Sequence, residues 1–76
     1  MEKYTLRTAR ERAVLTQEQA ASELGIHVST LGNYESGSTY PTIRVLRKML
    51  DLYGVTFEQL IFLGIDYGLT ERKEGA

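Results

Sequence analysis

The chain has 76 residues, 25% of them charged, with no cysteine and a single histidine, His27. That length suits one domain, and the missing thiols exclude a disulfide framework, a thiol nucleophile and a cysteine-rich zinc site. Nine basic residues against ten acidic ones give a net charge of −1, which by itself announces no polyanionic partner. A domain this small has a marginal core, so its stability must come from good helix packing and self-association. Residues 1–12 are charged throughout, and no apolar run approaches the ~20 residues of a membrane helix. The expectation is a soluble cytoplasmic protein with no membrane partner.

Charge is unevenly spread. Residues 1–24 balance four basic groups with four acidic ones, whereas residues 25–50 carry Arg44, Arg47 and Lys48 against Glu35 alone. Residues 51–76 carry Arg72 and Lys73 against Asp51, Glu58, Asp66, Glu71 and Glu74. The middle third is where an anion-facing surface would lie. Ordinary solvated charge would give the same asymmetry.

In chain order, residues 5–14 place Leu6, Ala9, Ala13 and Val14 at helical spacing. Thr16 with Gln19 three residues on is a reciprocal capping pattern. It opens a second helix through Ala20, Ala21 and Leu24 that Gly25 can end. A third helix is predicted over residues 28–36, stopped by Gly37. After the loop at residues 38–41, Thr42 can cap a fourth helix with Ile43, Leu46, Leu50 and Tyr53 on one face, ended by Gly54. Thr56 and Gln59 repeat the capping pattern, and Val55 with Leu60 can form a hydrophobic staple. This predicts a fifth helix and an all-α domain.

The tail changes period. Ile61, Leu63, Ile65, Tyr67 and Leu69 alternate as in a strand, although Phe62 breaks the alternation and Gly64 and Gly68 weaken it. A lone strand in a five-helix domain needs cover for its open edge, and a symmetry mate can supply it. The other reading carries the fifth helix to Leu63 with a frayed end. The expected division is a domain over 1–63 and a tail over 64–76 that holds the dimerisation strand.

Two helices joined by a short glycine-containing turn outline a DNA-reading unit, though the outline alone is weak. Ala20 and Ala21 are small where the helices must cross, and Ile26 and Leu31 are apolar where a core is needed. These residues, with Leu15-Thr16-Gln17-Glu18-Gln19, Leu24-Gly25-Ile26 and the run from Ser29 to Gly37, resemble the Cro/CI-type (XRE) helix-turn-helix family. Pro41-Thr42 and Tyr53-Gly54-Val55 match as well, so the resemblance covers residues 6–60.

The resemblance implies a five-helix lambda-repressor-like fold, with helix 28–36 entering the major groove of duplex DNA. On that mapping Val28, Ser29 and Asn33 contact bases: Val28 a thymine methyl, Ser29 several base edges, and Asn33 an adenine or a phosphate. Gln17 resembles the family's phosphate clamp at a helix start, and Ser36, Tyr40, Thr42 and Arg44 are implied backbone contacts. Arg10 and Glu35 occupy positions that pair structurally in the family, and Tyr34 takes an aromatic core position. His27 departs from the usual serine or threonine cap. It reads as a turn residue near the DNA backbone rather than a metal ligand or pH switch. Gly32 costs helix propensity and is either tolerated or permits close approach to DNA.

The implied function is a transcriptional regulator, a repressor binding a palindromic operator as a homodimer, of phage or mobile-element type. No cofactor, metal or small-molecule substrate is expected. Control would come from protein level or a regulatory protein partner, since the chain is too short for a sensing domain. An antitoxin or a restriction–modification controller would use the same domain. A protein-interaction module without DNA binding would fit the acidic end and the lack of basic residues on helix 28–36. An enzyme is not expected, because the carboxylates sit at helix starts and on outer faces.

Overall fold

Thr5, Thr16 and Thr42 each cap a helix in the computed structural model, which describes residues 2–62. The elements run β1 (Tyr4–Thr5), α1 (Leu6–Arg12), α2 (Gln17–Leu24), α3 (Val28–Ser36), α4 (Ile43–Tyr53), a 3-10 turn (Phe57–Gln59) and β2 (Leu60–Ile61). Thr16 Oγ1 accepts the Gln19 amide at 3.1 Å, and the Thr16 amide donates to Gln19 Oε1 at 2.9 Å. Thr5 and Thr8 make the same reciprocal pair at 3.1 and 2.8 Å. A cap of this kind contributes about 1 kcal/mol. Gly25 and Gly37, which end the helices on either side of the turn and the loop, have φ of 72° and 84°. In that left-handed region a Cβ would be strained, which is why glycine stands there.

The helices enclose a core of Leu6, Ala9, Ala20, Ala21, Leu24, Leu31, Leu46, Met49, Tyr53, Val55 and Leu60. Ala20 and Ala21 are buried on α2, where small side chains let α3 pack closely. Leu31 is fully buried and drives its helix inward, since burying a leucine contributes about 2 kcal/mol. No helix among the described residues is long and apolar enough to cross a membrane.

Several expectations are corrected. The fifth helix is a single 3-10 turn. The Thr56 amide at its N-cap donates to Gln59 Oε1 at 3.0 Å, but Leu60 then turns extended (φ −89°, ψ 139°). Three residues are too few to propagate a helix, and Leu60 and Ile61 instead pair in parallel with Tyr4 and Thr5. The strand at the start of the tail therefore finds its partner within the same chain, at the N-terminus. The four helices supply the long crossover that a parallel pair requires.

Val14 does not join the apolar face of α1. The helix ends at Arg12, and Val14 lies in the turn with φ 62° and 85% exposure. Leu15 turns inward in its place. Ile43, the first residue of α4, is 69% exposed, so the core-facing side of that helix begins at Val45 and Leu46 and includes Met49. Leu63, Ile65, Tyr67 and Leu69, and with them the tail over 64–76, lie outside the described residues.

Candidate nucleic-acid interface

At about 100° per residue, Val28, Ser29, Asn33 and Ser36 fall within an arc of roughly 140° on α3. All four are exposed, while Leu31 and Glu35, which fall outside that arc, are buried. The sequence thus anchors one face of α3 in the core and leaves a mixed polar and apolar face to solvent. The Asn33 carbonyl is held by the amides of Ser38 (3.0 Å) and Thr39 (3.3 Å) and by the Ser36 hydroxyl (3.2 Å). The Asn33 side-chain amide makes no hydrogen bond among the described residues, so its donor and acceptor edge is open. His27 occupies the N-cap of α3 without a side-chain cap bond; its Nδ1 stands 3.5 Å from the Ser29 hydroxyl.

The implied backbone contacts separate into two groups. Gln17 and Ser36 line one cleft between α1, the start of α2, and α3, with a volume of about 570 Å³. Tyr40, Thr42 and Arg44 are exposed along the loop and the first turn of α4. Several of these side chains already have internal partners, Gln17 among them. Ser36 directs its hydroxyl hydrogen to the Asn33 carbonyl, and Thr42 Oγ1 accepts the Val45 amide at 3.3 Å.

Behind this surface sits a buried charge pair. Arg10 Nε donates to Glu35 Oε2 at 2.6 Å and Arg10 Nη2 to Glu35 Oε1 at 3.2 Å. Arg10 Nη1 also donates to the Leu15 carbonyl at 2.8 Å, which ties α1 to the turn before α2. The hydrogen bond to Glu35 raises the Arg10 pKa against the opposing effect of burial. Gln17 joins the pair: its Nε2 donates to Glu35 Oε1 at 3.0 Å. Glu35 therefore collects three donors, from α1 and from α2, onto α3.

Tyr53 approaches the same pair from α4. It is 2% exposed, and among the described residues its hydroxyl has no hydrogen-bond partner. Burial, and after it the Glu35 carboxylate, push its pKa up to about 12, with Arg10 working in the other direction. Neither the Gln17–Glu35 bond nor the place of Tyr53 is visible in local sequence. The partners of the first are 18 residues apart, and no periodicity reports such a distance.

A short helix closed by Gly25, a tight turn, and a second helix with one solvent face make up a helix-turn-helix. Residues 5–60 match the family model described as helix-turn-helix domain, and the chain belongs to that family, in its Cro/CI-type branch of DNA-binding domains. It is 38% identical over 56 residues to the HTH-type transcriptional regulator ImmR of Bacillus subtilis (strain 168). The alignment takes in 74% of this chain and 44% of that relative, so the chain spans less than half the relative's length. No solved structure matches the chain.

Proposed function

We propose that this chain is a transcriptional regulator that reads duplex DNA sequence-specifically through α3, and that it acts as a repressor. The observation that carries this reading is the shared solvent face of Val28, Ser29 and Asn33 on a helix locked from behind by Leu31 and the Glu35–Arg10 pair. In a major groove, Val28 packs on a thymine methyl, Ser29 bonds to base edges, and the open Asn33 amide pairs with adenine. Gln17, Ser36, Tyr40, Thr42 and Arg44 contact the phosphates and set the register. The relative's name, a transcriptional regulator, points the same way.

The face holds no arginine or lysine, so one copy makes few strong contacts, and a homodimer on a palindromic operator supplies the rest. Ile61, 43% exposed at the end of β2, begins the dimerising segment that continues through Leu63, Ile65, Tyr67 and Leu69. Half-sites then lie about 34–36 Å apart.

The test is selection of a preferred duplex from a random library, followed by titration across a salt series. The expected result is a palindromic preference, affinity that falls steeply with salt, and a loss of about 1–3 kcal/mol for Asn33→Ala on the preferred site alone. Equal binding to preferred and shuffled duplexes would overturn the reading.

A further inference from the structure

We infer that Glu35 is a positioning residue for the DNA backbone contact, acting through Gln17; the inference rests on the DNA-reading function proposed above. Glu35 lines the same cleft but is only 7% exposed. Its Oε1 accepts from both Arg10 Nη2 and Gln17 Nε2.

A carboxylate only accepts hydrogen bonds, so it selects the nitrogen edge of the glutamine amide and forbids the flipped orientation. One Nε2 hydrogen is thereby held inward. The second hydrogen remains for the cleft, at the end of a helix whose Gln17 and Glu18 amides have no intrahelical acceptor. The capping box takes up the Gln19 amide and leaves those two alone. The amide is thus a donor of set orientation at a helix N-terminus, which is what a phosphate oxygen requires.

Two further features serve the same end. Arg10, held by Glu35, also holds the Leu15 carbonyl, so the buried pair places the chain entering α2 as well as the side chain of its first residue. Across the cleft, a Cβ added at Gly32 would stand 4.0 Å from Gln17 Nε2. Glycine there leaves the space beside the amide open. Ordering a glutamine side chain ordinarily lowers affinity; here the ordering is completed on folding.

The experiment measures binding to the selected duplex for the native chain, Gln17→Ala, the paired replacement Arg10→Met/Glu35→Leu, and the triple variant. Circular dichroism checks that each is helical. Gln17→Ala should weaken binding roughly fivefold in the native background and less than about twofold in the paired background. In the free native chain, the Gln17 side-chain amide should show restricted motion by ¹⁵N relaxation, a readout that needs no variant to fold. An equal loss in both backgrounds, no loss in the native one, or a freely rotating Gln17 amide would overturn the positioning role while leaving DNA reading intact. Failure of the native chain to prefer any duplex would instead remove the function beneath it, and this inference with it.

Discussion

Arg10 and Glu35 meet through two hydrogen bonds, at 2.6 and 3.2 Å, and join α1 to α3 across 25 residues of chain. Both side chains are nearly buried, at 9% and 5% exposure. Removing either partner leaves a charge without solvent or counter-ion. Arg10→Met alone or Glu35→Leu alone should destabilise the fold by about 3–5 kcal/mol, whereas the two together should be near neutral. Urea denaturation of the three variants measures the difference. Additive losses would show that the pair is not coupled.

Tyr53 carries a hydroxyl buried beside that pair with no hydrogen-bond partner among the described residues. Tyr53→Phe removes an unsatisfied polar group at constant shape and should stabilise by about 1 kcal/mol. The same group sets an alkaline limit. Its pKa is about 12 in the folded chain against 10.0 ordinarily, so the unfolded state releases this proton first as pH rises. Stability from this group is intact below pH 10 and falls between pH 10 and 12, by up to about 3 kcal/mol. Melting curves over that window should be flatter for Tyr53→Phe than for the native chain.

His27 sits at the N-cap of α3 with extended backbone (φ −71°, ψ 147°) but makes no cap bond. Serine fits that geometry and supplies an oxygen to an open amide. His27→Ser should raise stability by about 1 kcal/mol, read as a higher thermal midpoint. No gain would mean that the first turn of α3 is satisfied by solvent alone.

Val14 holds a left-handed conformation, φ 62°, with its side chain almost wholly in solvent. A β-branched residue is strained there and packs on nothing. Val14→Gly should stabilise by about 1 kcal/mol, the left-handed penalty less the added entropy of glycine in the unfolded chain. Chemical denaturation checks the sign, and a loss would reveal a contact made by the valine methyls.

The helix starts and stops were legible because they are local. Thr16 reaches only as far as Gln19, and Gly25 and Gly37 satisfy a backbone demand of their own turn, so three or four residues carry the whole signal. The exposed face of α3 was legible for a related reason: the positions of Val28, Ser29 and Asn33 relative to Leu31 follow from helical period. The family was legible too, through the order of these local signals along residues 5–60.

What tertiary structure alone decided lies between distant segments. Thr56 and Gln59 are spaced to start a helix, but the unpaired backbone of Tyr4–Thr5 stands within reach of Leu60–Ile61, and pairing the two strands satisfies groups that another helical turn would leave to solvent. Ile43 has the right spacing for a core position, yet α4 begins before the surface it packs on, and so the side chain is left outside. The Glu35 carboxylate likewise binds Gln17 and neighbours Tyr53 only because three helices converge there. Hydrophobic period and capping are one-dimensional and can be read along a chain; which buried polar groups share a partner depends on packing in three dimensions.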